Sequence, residues 1–391
     1  SFCETGGVHG TAVAEAIVDI APDVSLYIAN PTSKGDLQST AAWMVSEGVQ
    51  VINMSLKWTW DGPGDGSSPY TDSPLNTVDS AVAGGTMWVQ AAGNDADGNW
   101  YGAYSDSDSD AWLAFTSSFD YNEIYLSAGS SVTAYLRWDD DWNGASSNLD
   151  LYLYGYNYGW VLLEAGNDVQ DGSAGQDPHE TVAYNVLSTG WYYLFVSHAA
   201  GGAPEWFQLD VWTQQDLSVS VLDHSIGNPG DSSNPGLLTV GAANWATPST
   251  IESFSSHGPT TDGRIKPDIV GADRGDSVSY GVNGFSGTSQ ASPHIAGLAA
   301  LALQRYPEYT PGQVATYLKN NALGIDTVPN NTWGYGLAQM PLFEPTAPID
   351  VTATSGVRQA TVNWNPPLDD GGSPVTEYAV TSDPGDVTAT T

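Results

Sequence analysis

Basic side chains are almost missing from this sequence: nine Lys and Arg stand against 45 Asp and Glu over 391 residues, for a formal charge of −36. With no basic stripe to neutralise phosphates, nucleic acid and anionic bilayers are excluded as partners. Cysteine is scarcer still. Cys3 is alone, so no internal disulfide framework can form. Long apolar runs are absent as well; the longest, Ile295 to Leu303, is less than half of the ~20 residues that a membrane-spanning helix needs. No membrane insertion is expected. Ser1 to Val8 contain neither the basic start nor the apolar centre of a signal peptide, and Asp386 to Thr391 form no closing element. Both ends read as cuts through folded domains, so they leave localisation undecided.

What is present suffices for folding. A 41% hydrophobic share with 15 Trp and 20 Tyr supplies packed cores, and the length suits two or three domains. The acid is mostly Asp, 34 against 11 Glu. Asp competes with the backbone in helices, so together with 43 Gly it favours turns and strands. An acidic, lysine-poor surface suits an extracellular or saline setting.

Four zones follow along the chain. Residues 1–100 alternate helix and strand signals: an amphipathic helix over Thr11 to Ile20, a buried strand over Val24 to Ala29, a helix over Leu37 to Glu47, and strands over Val49 to Leu56 and Thr86 to Ala92. Such alternation implies a parallel sheet covered by helices. From 101 to 216 the pattern becomes period-two, as in Val132 to Trp138, Asp150 to Tyr154, Trp191 to Val196 and Phe207 to Trp212, which predicts an inserted β-sandwich. From 217 to 345 the first texture resumes. Strands are expected at Leu237 to Ala243 and Lys266 to Val270, and helices at Thr288 to Arg305 and Pro311 to Asn321. Residues 346–391 alternate again, over too short a span for a complete sandwich domain.

Three stretches carry chemistry. In Gly7-Val-His9-Gly-Thr11 an imidazole stands just before a helix. In Val89-Gln-Ala-Ala-Gly93-Asn94 a strand runs out into a side-chain amide at the carboxyl end of the sheet, where α/β sites form. In Phe285-Ser-Gly-Thr-Ser289 a hydroxyl opens a buried helix, whose N-terminus favours negative charge. Taken singly, each reads as a loop histidine, a turn asparagine and a helix cap. Together they offer a base, an oxyanion donor and a nucleophile.

At these residues the sequence resembles the subtilisin-like serine proteases. His9-Gly-Thr, Ala91-Ala-Gly-Asn94 and Gly287-Thr-Ser-Gln-Ala-Ser-Pro-His294 occur in that family's order, and Val51 to Leu56, Pro235 to Ala242 and Ser253 to Pro259 agree as well. The resemblance implies a subtilisin-like α/β fold and hydrolysis of peptide bonds through an acyl-enzyme. It makes Ser289 the nucleophile, His9 the general base and then acid, and Asn94 the oxyanion donor. Ser55, Leu56 and Gly93 would line the substrate site. Lys57 and Trp58 replace two glycines usual there, and Gln290 replaces a frequent methionine. The family's Asp, which precedes the His in an Asp-Ser/Thr-Gly turn, has no counterpart in 1–8. Without it this chain is expected to be nearly inactive.

The insertion resembles pre-peptidase carboxyl-terminal-like modules of secreted bacterial proteases, through Asp150 to Tyr154 and Gly190 to Val196. The tail, with Trp364 and Gly371 to Tyr378, resembles the first half of a fibronectin type III domain. No cofactor is required. Asp139-Asp140-Asp141 with Asp150 offers oxygens for Ca²⁺, against the plainer reading of a solvated acidic turn. A monomer acting on polypeptides outside the cell is expected. The competing reading is a catalytically silent adhesion or binding protein on the same scaffold. A Cys3–His9 nucleophile pair fits less well because the serine block is complete, and a sedolisin-like Glu15–Asp19 pair because a His holds the Gly-Thr-flanked position and Asn94 replaces the acid used at the oxyanion.

Overall fold

The computed structural model describes residues 7–156, 158–213, 215–341, 345–371 and 374–391. Cys3 lies outside them, and so does its pairing with His9. The chain divides into two compact units, Ser1–Gln339 and Met340–Thr391.

In the first unit, helices α1 (His9–Ile20) and α2 (Lys34–Ser46) precede strand β1 (Val51–Met54), helix α3 (Pro74–Ala83) and strand β2 (Met87–Ala91). Ser33 caps α2 by accepting from the Asp36 N–H, and Ser73 caps α3 ahead of Pro74. These are favoured residues at helix starts. Eight strands follow: β3 (Asn99–Ala103), β4 (Tyr121–Leu126), β5 (Ser131–Trp138), β6 (Asn148–Tyr156), β7 (Trp160–Gly166), β8 (His179–Asn185), β9 (Gly190–Ala200) and β10 (Trp206–Trp212). The chain then returns with β11 (Leu237–Asn244), β12 (Ile269–Asp273), α4 (Thr288–Arg305) and α5 (Pro311–Asn321). Among the described residues no helix is long and apolar enough to cross a membrane.

β1, β2, β11 and β12 form one parallel sheet in that order, with Val51 opposite Met87, Trp88 opposite Leu237 and Val240 opposite Ile269. β11 is buried over seven of its eight residues, as a parallel strand covered on both faces must be. α4 crosses this sheet and packs on α1 so closely that a Cβ on Gly297 would lie 2.6 Å from Ile20 Cβ. β3–β10 make two four-stranded antiparallel sheets, ordered β3-β10-β5-β8 and β4-β9-β6-β7. Their inward residues, among them Ile124, Leu136, Leu151, Leu194 and Leu209, share one core. The first of these strands opens at Asn99, two residues ahead of the expected boundary at 101.

Two sequence expectations are corrected. Val24 to Ala29 is not a strand: Leu26 and Tyr27 are exposed, and the segment lines a large cavity together with β1. A buried strand needs a ladder beside it, and among the described residues β1 pairs only with β2. The strand expected over Lys266 to Val270 runs instead over Ile269–Asp273, beyond Pro267, which has no N–H to offer a ladder.

The second unit contains two antiparallel pairs, β13 (Ile349–Gly356) with β14 (Gln359–Asn365) and β15 (Ala379–Thr381) with β16 (Thr388–Thr390). The Trp364 and Tyr378 rings lie 5.3 Å apart. Gly372 and Ser373 of the expected strand opening fall outside the described residues.

Candidate active site

The start of α4 is set by Gly287, whose φ of +121° is rarely open to an L side chain, and where a Cβ would come 2.9 Å from Asn94 Nδ2. Asp273 holds this turn by accepting from the Gly287 N–H at 2.8 Å. Burial pushes the Asp273 carboxyl up to about 6, against hydrogen bonds from Gly287 and its neighbours. Ser289 therefore falls in the first turn of α4, where an N–H has no helical carbonyl to bond. Its hydroxyl donates to the Ser55 carbonyl at 3.3 Å. The Ser55 hydroxyl works behind it: it donates to the Ser289 carbonyl at 2.9 Å, meets Ser292 Oγ at 3.0 Å and accepts from Asn53 Nδ2 at 3.0 Å. Ser55 thus clasps the end of β1 to α4.

Asn94 follows the end of β2. Its Oδ1 accepts from both the Thr288 N–H at 2.8 Å and the Thr288 hydroxyl at 2.9 Å. Both bonds hold the carbonyl side of the amide and leave Nδ2 unspent among the described residues. The Gly93 N–H donates to Thr288 Oγ1 at 3.2 Å and its carbonyl accepts from the Ser256 N–H at 3.0 Å, which leaves the carbonyl one lone pair. Gly93 also sets shape: at φ +116° a Cβ would meet Asp95 Oδ2 at 2.6 Å. Leu56 is exposed, with its carbonyl taken by Gln90 Nε2 at 2.7 Å.

His9 is the first residue of α1 rather than a residue ahead of it. Its ring stands edge-on to Phe285, centroids 5.9 Å apart, and burial lowers its pKa below the ordinary 6.5. Among the described residues no hydrogen bond reaches this imidazole, from Ser289 or from a carboxylate. His9, Ser289, Asn94, Ser55, Leu56 and Gly93 nevertheless line one cavity of about 1070 Å³.

Other expectations resolve locally. Glu15 is engaged by the Val278 N–H at 2.8 Å and the Ser279 hydroxyl at 2.8 Å. His294 Nδ1 faces the Ala272 carbonyl at 3.0 Å, inside the scaffold. Gln290 is buried, and its Oε1 accepts from the Gly275 N–H at 2.7 Å. The acidic set considered for Ca²⁺ does not converge. Asp140 accepts from the N–H groups of Ser146 and Asp141, each at 2.8 Å, and Asp150 accepts from the Tyr152 hydroxyl at 2.7 Å. Among the described residues the acidic cluster able to share a cation is Asp106, Asp108 and Asp110. Sequence reasoning missed two things: the double grip of Thr288 on Asn94, and the ion cluster built on Lys57. The only local sign of the latter was a rare cation directly after Leu56.

A hydroxyl at a helix start, an amide at a strand end and an imidazole thus line one cavity beside a parallel α/β sheet. The sequence pattern of the Subtilase family matches residues 5–195 and 215–336, and the chain belongs to that family. The match continues well past residue 100, through most of the antiparallel part. The minor extracellular protease Vpr of Bacillus subtilis is 25% identical over 372 residues, 85% of this chain and 44% of that protein. The serine protease AprX of Bacillus subtilis is 35% identical over 134 residues, 29% of this chain and 30% of that protein. The chain spans less than half the length of these relatives. The CspB protease of Clostridium perfringens has the same fold, with a TM-score of 0.56 at 18% identity over 82% of this chain and 72% of that one.

Proposed function

We propose that this chain is the core of a secreted serine endopeptidase. The Ser289 hydroxyl attacks the substrate carbonyl, and His9 takes the proton and returns it to the leaving amine. Asn94 Nδ2 and the Ser289 N–H receive the oxyanion, and water then releases the acyl group from Ser289. The observation that carries this reading is the hold of Thr288 on Asn94 Oδ1. It fixes the amide before any substrate arrives, and a preorganised donor of this kind is worth about 10²–10³ in kcat. An extended peptide would lie along Ser55–Leu56 as an added strand.

His9 needs an orienting carboxylate, and none bonds it among the described residues. In this proposal the acid arrives on a strand that fills the cavity between β1 and the Val24–Ala29 segment. Without it the imidazole takes the wrong tautomer, a loss of about 10⁴ in kcat. The strands from Asn99 to Trp212 would be a pre-peptidase carboxyl-terminal-like module, and Met340–Thr391 part of a fibronectin type III domain. A monomer is proposed.

The test is hydrolysis of an unfolded polypeptide by the natural full-length protein and by its Ser289→Ala variant. Activity in the first alone supports the peptidase. Inactivity in both supports the silent binding protein.

A further inference from the structure

Lys57 stands where a glycine is usual, and its side chain turns inward. Its stem lies against Gly227, where a Cβ would come 3.0 Å from Lys57 Cδ. Its ammonium meets Asp95 Oδ1 at 2.7 Å and Asp210 Oδ2 at 2.9 Å, and lies 4.3 Å from the centre of the Trp212 ring. Trp212 Nε1 donates to the same Asp210 oxygen at 2.6 Å. Asp95 directly follows Asn94, whereas Asp210 and Trp212 belong to β10 of the antiparallel part. The Trp58 N–H donates to the Asn228 carbonyl at 3.0 Å and the Gly227 N–H to the Ala92 carbonyl at 2.9 Å. Three backbones, leaving β1, leaving β2 and at Gly227–Asn228, therefore frame the volume that the Lys57 stem fills. Lys57, Asp95 and Trp212 line the same cavity as Ser289 and Asn94.

One ammonium serves two carboxylates here. Among the described residues Asp95 Oδ2 and Asp210 Oδ1 are buried with no hydrogen-bond partner, so the cluster is short of donors. Moving Lys57 aside would leave both acids buried without a cation, which is strongly unfavourable.

We propose that Lys57 occupies the recess meant for the substrate side chain beside the scissile carbonyl, restricting that residue to Gly, Ala or Ser, with Asp210 and Trp212 of the antiparallel part holding the plug in place. This rests on the peptidase reading, because the recess matters only if a carbonyl is held by Asn94 and Ser289. Emptied of Lys57, the recess would be a slot with two acids, suited to a lysine or arginine side chain.

The natural full-length protein and its Lys57→Ala variant should be compared on peptides differing only at that residue. The unmodified protein is expected to favour Ala over Lys or Phe by about 100-fold in kcat/KM, within the range that steric discrimination reaches. K57A should invert the Ala-to-Lys preference, and adding Asp210→Asn should cut the new Lys activity about tenfold, as loss of one desolvated charge pair would. Equal cleavage after Ala, Lys and Phe by the unmodified protein, or an unchanged profile in K57A, overturns the proposal. Butylammonium, a mimic of the lysine side chain, should raise the Tm of K57A and leave the unmodified protein alone, whether or not peptide is cleaved. No rise overturns the recess. A rise without hydrolysis of any peptide overturns the peptidase reading alone.

Discussion

The antiparallel strands from Asn99 to Trp212 and the parallel sheet that carries Ser289 are closed to different degrees. The first seals its interior: Trp100, Leu113, Ile124, Leu136, Leu151 and Phe207 belong to one continuous apolar core. In the second, a cavity of about 1070 Å³ runs past β1 to His9 and Ser289, the space that the proposed acid-bearing strand would fill. Polar groups occur in both. Around Ser289 they stand at strand ends and a helix start with capacity left over. In the antiparallel part Arg137 is buried but spent, its guanidinium on Gln208 Oε1 at 2.7 and 2.9 Å and stacked over Trp60 at 4.1 Å. Among the described residues, buried polar atoms without a partner occur in both parts, Asp95 Oδ2 beside Asn94 and Trp142 Nε1 and Gln170 Oε1 in the antiparallel part, so the contrast lies in apolar packing and not in polar satisfaction.

Substitutions can break or sharpen this contrast. Ser289→Ala in the natural full-length protein should lower kcat by about 10⁶ with little change in Tm, read by peptide hydrolysis and thermal melts. Leu136→Ala should do the reverse, costing about 2–5 kcal/mol of stability in a chemical-denaturation curve while kcat holds. A parallel loss of kcat would show that the two parts are not separable. Asn94→Ala should lower kcat by about 10²–10³ without altering KM comparably, as the proposed role of the amide on the oxyanion requires.

The smallest effect concerns pH. Burial pushes the Glu180 carboxyl up to about 7, opposed by the Gln170 amide and reinforced by Asp168 and Asp150. The folded state thus keeps a proton that the unfolded state loses near the ordinary value of 4.5, so this group's contribution to stability falls as pH rises from there to about 7. Glu180→Gln removes that loss. Its Tm should gain on the unmodified protein as pH rises through this window, and two parallel Tm curves would contradict the assignment.

Legibility in the sequence follows how local each signal is. Thr288–Arg305 and Pro311–Asn321 are helices over the expected residues, because Gly287, Pro311 and the Thr310–Gln313 capping box act within one turn. The alternation in Val132 to Trp138 and Trp191 to Val196 likewise finds its strands. Val24 to Ala29 reads as a strand by composition, yet a strand is made by its neighbours in the sheet, which no local pattern encodes. His9, Asn94 and Ser289 could be picked out because each sits in a short motif at an element boundary. The Lys57 cluster could not, since Lys57, Asp95 and Asp210 meet only once the antiparallel part folds against the end of β2.

The measurement closest to the central claim is covalent labelling of the natural full-length protein by a fluorophosphonate, mapped by peptide mass spectrometry. The account predicts one adduct, on Ser289, formed far more slowly in His9→Ala. Labelling elsewhere, or none under conditions where His9 is neutral, would contradict it.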